Sequence, residues 1–262
     1  MRELNLLVVD WDFFFPTPAL SADYGPDVLL YNWDHAEAPI YQTSLIWAPR
    51  AATFLRNGLE LPMTEGWENF WDRFTFADEP DFLYGDSNLH AGLLVPTSFG
   101  WDAPAWNTVS LWDAHHDCGY RNNTGSFEEW KARGVLSCED WMLAHFQRGS
   151  TLEVIHPAWR QRVGRVEPEP LVPVERRVDD GTNSDRVYQA VYVCRSGAWV
   201  PPWCDDQFTQ FIELAPDPWP MEVPGNEWVH PRNDVMQEAD RENEAWKTLA
   251  SMMRERGNEV RD

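Results

Sequence analysis

Near its N-terminus the chain reads Leu4-Asn5-Leu6-Leu7-Val8-Val9 and continues directly as Asp10-Trp11-Asp12-Phe13-Phe14. A short, nearly continuous apolar run of this kind is typical of a strand that is buried on both faces, as in a parallel sheet. Two carboxylates follow at the point where the strand would end. Because ligands bind beyond the carboxyl ends of the strands in an open parallel sheet, we expect a functional site here.

Four further apolar segments are predicted to be strands: Phe82–Tyr84, Thr108–Trp112, Leu152–Ile155 and Val187–Cys194. Helical patterns lie between them at residues 50–57 and 126–133. Ser137, with Asp140 three positions later, predicts the start of a helix that runs through Phe146. Helices that alternate with buried strands favour an α/β fold with a mainly parallel sheet.

The 262 residues fit one α/β domain, and we interpret residues 1–262 as a single domain. The acidic, proline-rich segment 166–185 is interpreted as a loop excursion because a strand follows it. After the proline-rich residues 215–224, a long helix is predicted at about 234–256, with Asn233 as its N-cap and Gly257 just beyond its end. Its apolar stripe is typical of a face that docks on the core or on a second copy in a homo-oligomer; the stripe consists of Ala245, Trp246, Leu249, Met252 and Met253.

The charge and composition of the chain indicate which partners and which location to expect. The net charge of −22 disfavours nucleic acid and anionic lipid as partners, so a small-molecule substrate is expected instead. No apolar stretch is long enough for a membrane span, and the N-terminus does not read as a signal peptide. The four cysteines form no CxxC pair, which favours free thiols and a cytoplasmic location. Most of the 16 tryptophans are expected in the core or in pocket walls.

Metal-binding side chains follow three of the predicted strands. Asp10 and Asp12 follow the first, His90 follows the segment at 82–84, and Asp113-Ala114-His115-His116-Asp117 follows Thr108–Trp112. Alternate residues of an extended chain share a face, so the side chains of each motif point together. Buried carboxylates at this density need cations for compensation, and mixed oxygen and nitrogen ligands suit Mn²⁺, Mg²⁺ or Zn²⁺. The predicted ligands are Asp10, Asp12, His90, Asp113, His115 and Asp117.

The motif at 113–117 resembles the DAHxD signature of the superfold shared by arginases, agmatinases and histone deacetylases. The motif at 10–14 resembles the DxD motif of the same group, in the D-x-D-F-F form of its arginase-like branch. The resemblance covers only these short motifs, and it implies a three-layer α/β/α fold. Two features depart from the family: DxD precedes DAHxD here instead of following it, and Gly85–His90 only approximates the Gly-Gly-Asp-His-Ser motif that carries the family's first histidine.

The resemblance implies a hydrolase with two Mn²⁺ ions that activate a bridging hydroxide and cleave C–N bonds of guanidino or amide type, other than peptide bonds. Asp113 and Asp10 would bridge the ions. His115 and Asp12 would complete the ligand set of one ion. Asp117 and His90 would complete that of the other. Because His90 matches the family motif poorly, a single-ion centre of the deacetylase type, with Zn²⁺ or Fe²⁺ on Asp113, His115 and Asp10, stays open.

Other residues are candidates for catalysis and for substrate binding. A proton shuttle is predicted among His116, His145 and His156, with His156 favoured because it ends a predicted strand before Pro157. The loop after Val187–Cys194 is predicted to line the pocket: Arg195 would bind a substrate carboxylate, beside Ser196 and Trp199. The same loop is equally interpreted as a turn that is stiffened by proline and packed by aromatic residues.

Two other functions remain open. A phosphatase of the haloacid-dehalogenase type would use Asp10 as its nucleophile, Asp12 as acid and base, and the acidic residues 179–185 near Mg²⁺. Phe13 and Phe14 stand where that family has Gly-Thr, and the motif at 113–117 would have no role. The second alternative is a non-catalytic binding protein on the arginase-like superfold. The substrate, the metal, the number of ions and the oligomeric state are not determined by the sequence.

Overall fold

The fold is described from a computed structural model, which covers residues 3–16, 46–162, 167–197, 199–216, 220–223 and 235–259. The predicted N-cap Asn233 lies outside these ranges, and so do residues 217–219 and 224 of the proline-rich stretch 215–224. Within the described part of the chain, no helix has both the length and the apolar character that a membrane span requires. The four cysteines form no disulfide.

The centre of the structure is a parallel sheet, as the sequence predicts. In the described residues its strand order is β5-β4-β3-β1-β6-β2-β7, and every neighbouring pair is parallel. The strands are β1 (Asn5–Asp10), β2 (Thr75–Gly85), β3 (Thr108–Trp112), β4 (Thr151–His156), β5 (Glu175–Val178), β6 (Val187–Cys194) and β7 (Met221–Glu222). The chain therefore has an α/β fold.

Three features of the sheet differ from the prediction. β2 begins seven residues earlier than the apolar segment at 82–84, and its pairing with β6 shifts register between Phe76 and Asp81. Pro80 lies within this shift and cannot donate a ladder hydrogen bond. The segment 166–185 contains β5, so its interpretation as a loop only is wrong. β5 and β7 lie at the sheet edges and lack the apolar run that marks a buried strand.

The helices are α1 (Ala48–Arg56), α2 (Arg121–Thr124), α3 (Phe127–Arg133), α4 (Met142–Gln147), α5 (Asp205–Glu213) and α6 (Val235–Glu259). Ser126 and Glu129 form a capping box at the start of α3. α4 begins later than predicted, because the Ser137 amide donates to Asp140 Oδ1 in a turn that precedes the helix. α6 continues through Gly257, which was expected to end it.

Apolar side chains cover both faces of the sheet. Along β1 the side chains alternate: Leu7 and Val9 belong to one buried cluster, and Leu6 and Val8 belong to the other. Eight tryptophans are buried in these clusters, as expected from the composition: Trp11, Trp47, Trp67, Trp71, Trp106, Trp112, Trp130 and Trp141. In contrast, the stripe of α6 at Trp246, Leu249, Met252 and Met253 is largely exposed, although Trp246 lies against the guanidinium of Arg56 in α1.

Candidate metal centre

The candidate centre lies at the carboxyl edge of the sheet, where β1 stands between β3 and β6. Val9 of β1 pairs with Trp112 of β3, and Asp10 pairs with Cys194 of β6. β2 pairs with β6 as far as Gly85. The segments that leave these four strands therefore begin next to one another, which is where ligands bind in open parallel sheets.

The first motif turns sharply after β1. Asp10 caps a 3-10 helix, Trp11–Phe14, and its Oδ1 accepts a hydrogen bond from the Asp12 amide at 3.1 Å. This turn brings Asp12 to the start of the second motif. Asp12 Oδ1 accepts from the Ala114 amide at 3.2 Å, and its Oδ2 lies 2.9 Å from His115 Nδ1. The two motifs, far apart in sequence, are thus bound to each other.

Asp12, Asp113 and His115 form a buried group that could hold a metal ion. One ligand atom from each residue lies within 4.8 Å of the other two, and His115 Nδ1 is 3.4 Å from Asp113 Oδ1. His115 is also fixed through its backbone, because its amide donates to Asp113 Oδ1 at 2.7 Å. No other such group of acidic, histidine or cysteine ligands occurs in the described ranges.

A second meeting point lies at Asn88, which the sequence analysis did not single out. Its Nδ2 is 2.6 Å from Asp10 Oδ2, 3.0 Å from Asp117 Oδ2 and 3.5 Å from Asp113 Oδ2. Three carboxylates therefore converge on one amide group. Trp141 also reaches this point, because its indole Nε1 donates to Asp117 Oδ2 at 2.7 Å.

The backbone is strained at two places beside this centre. Asp117 has φ of +46° and Ser196 has φ of +56°, and they are the only described residues other than glycine with positive φ. Both are buried. Ser196 faces Asp10. The Ser196 hydroxyl lowers the pKa of Asp10, but burial raises this pKa by more. Strained conformations of this kind occur preferentially at functional sites, where the surrounding structure holds them in place.

Burial and mutual repulsion act strongly on the acidic side chains. Burial, supported by the charges of neighbouring aspartates, raises the pKa of Asp10 and of Asp113 well above the usual range. Burial also raises the pKa of Asp117 to about 7, although the charge of His115 acts in the opposite direction. Without a cation, these three carboxyl groups therefore keep their protons to a higher pH than exposed carboxyl groups do.

Asp12 and His115 behave differently because they pair with each other. Burial is the largest single effect and opposes the ionisation of both groups, but their mutual attraction and the hydrogen bonds of Asp113 and the Ala114 amide together outweigh it. These interactions lower the pKa of Asp12 and raise the pKa of His115 well above its ordinary value. Without a cation, a protonated His115 supplies one positive charge beside Asp12 and Asp113.

Glu167 is a second residue that the sequence analysis missed. Its Oε1 accepts from the His116 amide at 2.9 Å and from the Tyr120 hydroxyl at 2.6 Å. Its Oε2 lies 3.9 Å from His156 Nε2 and 3.7 Å from an Arg160 guanidinium nitrogen. Burial would raise the pKa of Glu167, but the charges of the nearby histidines, led by His116, lower it. A negative charge is therefore held beside the centre.

Two of the predicted proton-shuttle histidines are enclosed within the protein. His116 is fully buried, and both of its ring nitrogens are engaged: Nδ1 accepts from the Cys118 amide at 3.0 Å, and Nε2 lies 2.9 Å from the carbonyl oxygen of Pro168. His145 is also fully buried, its Nε2 lies 2.9 Å from the carbonyl oxygen of Ala91, and burial lowers its pKa to about 4. Neither ring nitrogen of His116 is available to a substrate.

His156 remains the best placed of the three. Its side chain is 13% exposed, whereas His116 is fully buried. Its Nδ1 lies 3.1 Å from the carbonyl oxygen of Asp113, and its Nε2 faces Glu167. His156 is thus adjacent to the centre and reaches its border with solvent.

The structure places two other predicted residues differently. His90 is half-buried in the 3-10 helix Asn88–Leu93, and the charge of Asp86 acts on it. It is not part of the metal-ligand group; Asn88, two residues earlier, faces the carboxylates.

Arg195 is fully buried and pairs with Asp86 and Asp205, so it is not free to bind a substrate carboxylate as predicted.

Trp199 contacts the centre directly. Its ring lies 5.1 Å from the ring of His115, centroid to centroid. Trp199 is half-buried, so it can form part of a wall between His115 and solvent. This placement agrees with the prediction that the loop after β6 lines the site, although a substrate contact remains a prediction.

No family model, curated protein or solved structure matches this chain.

Proposed function

We propose that this protein is a metal-dependent hydrolase that cleaves a C–N bond of guanidino or amide type. The proposal depends on one observation: Asp10, Asp12, Asp113, His115 and Asp117 come from two separate strand ends and are buried together at the carboxyl edge of the sheet. Uncompensated carboxylates are costly to bury, so a structure that gathers four of them is explained by a cation that binds among them.

The side chains present fit a divalent ion. Asp12, Asp113 and His115 would hold one ion, with Asp10 beside them, and their mixed oxygen and nitrogen donors suit Mn²⁺, Zn²⁺ or Fe²⁺. Asp10, Asp113 and Asp117 surround a second position. Two Mn²⁺ ions, as in the arginases, therefore agree with the number of carboxylates, and a single ion on the first group is the simpler alternative.

A bound divalent ion would lower the pKa of a coordinated water towards neutrality and so supply a nucleophile at pH 7. The protein would contribute proton transfer and orientation. His156 contacts the Asp113 carbonyl and faces Glu167, so it can take up a proton and pass it to a departing amine. Trp199 beside His115 would limit access of water from that side.

Metal content tests this proposal. We expect purified full-length protein that has been dialysed against Mn²⁺ to retain bound metal in mass spectrometry, and Asp113→Ala and Asp117→Asn to retain less. Asp180→Asn is the matched control, because it removes an exposed aspartate that contacts Thr182 rather than the centre. Wild-type protein without metal, or equal stoichiometry in all four proteins, would refute the proposal.

Asp10→Asn separates the proposed hydrolase from a phosphatase. We expect this variant to lose bound metal and the hydrolysis of guanidino and amide substrates together, because Asp10 contacts Asn88 at one position and caps the turn that places Asp12 at the other. The acidic residues 179–185 would assist a phosphatase only near Asp10, but Asp179 follows the edge strand β5 and pairs with Arg73. Loss of phosphate-monoester hydrolysis with metal retained would instead favour the phosphatase, and bound metal without turnover would favour a binding protein.

A further inference from the structure

The amide group of Asn88 occupies the position where three carboxylates meet. Asn88 is only 3% exposed. Its Nδ2 contacts carboxylate oxygens of Asp10, Asp113 and Asp117, two of them within 3.0 Å. An amide donor carries only a partial positive charge, so it compensates three carboxylates less well than a cation does.

Asn88 is held in this position by the end of β2. Ser87 caps the 3-10 helix that starts at Asn88, and its Oγ accepts from the Leu89 amide at 3.2 Å. The Tyr192 hydroxyl of β6 donates to the carbonyl oxygen of Ser87 at 2.6 Å. These contacts with β2 and β6 fix the backbone at Ser87 and Asn88, and the fixed backbone directs the Asn88 amide at the carboxylates.

The other polar atom of the same amide has no hydrogen-bond partner. Asn88 Oδ1 is buried and accepts no hydrogen bond from the described residues. An asparagine amide is nearly symmetric in shape, and its terminal torsion has a broad, roughly two-fold preference. Half a turn about this bond would exchange Nδ2 for Oδ1 and present an oxygen ligand at the point where the carboxylates meet.

The two positions of the centre then differ in their ligands. The position at Asn88 would have oxygen donors only, from Asp10, Asp113, Asp117 and Asn88, whereas the position at Asp12, Asp113 and His115 includes an imidazole. Carboxylate and carbonyl oxygens suit Mg²⁺ and Mn²⁺, whereas imidazole also favours Zn²⁺ and iron. A neutral amide is a weaker ligand than an imidazole for these later ions.

We propose that Asn88 is a ligand of the second ion and makes that position the weaker, all-oxygen half of an unequal two-metal centre. This inference rests on the proposed function, because it assumes that the carboxylates bind divalent ions. It differs from the arginase pattern, in which a histidine completes this position.

Calorimetric titration of metal-stripped, full-length protein with Mn²⁺, and separately with Zn²⁺, tests the role of Asn88. We expect two binding steps in the wild type. Asn88→Leu, which keeps the size but removes the amide, should lose the weaker step and keep the tighter one. Asn88→Asp should strengthen the weaker step for Mn²⁺, and Asn88→His should strengthen it for Zn²⁺, each by about tenfold or more.

His90→Ala is the matched control, since it alters a histidine two residues away on the same 3-10 helix and should leave both steps unchanged. The inference is overturned if Asn88→Leu keeps both steps, if His90→Ala loses the weaker one, or if the wild type binds one ion that no Asn88 variant affects. In that last case the proposed hydrolase would stand. If the wild type binds no ion, both proposals fail. If Asn88→Leu does not fold, unchanged titrations of the Asp and His variants overturn the inference.

Discussion

Arg195 is a fully buried guanidinium between two carboxylates. It pairs with Asp86, which follows β2, and its second nitrogen lies 3.1 Å from Oδ1 of Asp205 at the start of α5. Burial raises the pKa of Asp205 to about 7, although Arg195 acts to lower it. Arg195 thus joins the ends of β2 and β6 to α5, and it precedes the strained Ser196 at the candidate centre.

Replacement of Arg195 by methionine should destabilise the protein strongly. The substitution leaves two buried carboxylates without their shared cation, which typically costs about 3–5 kcal/mol in the free energy of unfolding. Urea denaturation monitored by tryptophan fluorescence measures this change. Arg241→Met is the control, because Arg241 forms an exposed ion pair with Glu238, and such pairs contribute at most about 1 kcal/mol.

The triple variant Arg195→Met with Asp86→Asn and Asp205→Asn should recover much of the loss, because no unpaired charge stays buried. If Arg195→Met kept wild-type stability and only weakened the binding of acidic substrates, Arg195 would have the role that the sequence analysis predicted. His116 resembles Arg195 in this respect: the sequence predicts a functional side chain, but its polar atoms bind other groups of the protein.

At the level of elements, the end of β2 determines where Asn88 lies. A Cβ atom at Gly85 would stand 2.6 Å from the hydroxyl oxygen of Tyr192, and the next nearest atoms would be at 3.5 Å and beyond. The hydroxyl group is close because it donates to the carbonyl oxygen of Ser87. The Tyr192 hydroxyl can therefore take this position beside β2 only if residue 85 lacks a side chain.

The substitution Gly85→Ala should lower the free energy of unfolding by about 1–3 kcal/mol, since an added methyl group in a tightly packed place displaces its neighbours. Tyr192→Phe should cost about 1 kcal/mol through the lost hydrogen bond. The double variant should cost less than the sum of the two, because phenylalanine lacks the atom that the alanine side chain would strike. Chemical denaturation of the four proteins measures the coupling.

Additive costs in this cycle would show that the hydroxyl of Tyr192 is not the group that a side chain at residue 85 would strike. A Gly85→Ala variant with unchanged stability would have the same consequence. Metal titration of Gly85→Ala adds a second measurement, because displacement of the Ser87 carbonyl should also move Asn88 and weaken the second binding step.

For the whole molecule, the dominant electrostatic feature is negative charge. The chain carries a net charge of −22, and the carboxylates at the candidate centre are buried as well. Charge of one sign destabilises a compact state through self-repulsion. A cation that binds only the folded protein at this centre should therefore stabilise the whole fold.

We expect Mn²⁺ at about one hundred times its dissociation constant to stabilise the protein by about 3 kcal/mol, which corresponds to a rise of several degrees in Tm for a chain of this size. Differential scanning calorimetry of metal-stripped protein, with and without Mn²⁺, measures the rise. Asp113→Asn should abolish it, because the variant keeps the shape of the side chain and removes a charge that both positions share.

Sodium chloride at equal ionic strength is the control for general screening of the surface, and Asp180→Asn is the control for loss of an exposed aspartate. A shift of equal size with sodium chloride, or in Asp113→Asn, would mean that Mn²⁺ acts on the surface charge and not at the centre.

The class of fold could be predicted from the sequence because its signals are local. The apolar runs at β1, β3, β4 and β6 are short segments. Such a run predicts a strand buried on both faces without information from any other part of the chain. The same holds for Asp10, Asp12, Asp113, His115 and Asp117, which follow two of these runs. Edge strands β5 and β7 lack such a run, so only pairing with a neighbour defines them.

The distinction between structural and site-facing residues was decided by the tertiary structure. His90 and Asn88 lie on the same short 3-10 helix, and the position of its cap on Ser87 determines which of them faces the carboxylates. Glu167 and Trp141 join the centre through contacts across the chain, and no local pattern predicts them. Hydrophobic periodicity is a property of neighbouring residues, whereas the convergence of side chains depends on distances between strand ends, which exist only once the sheet has formed.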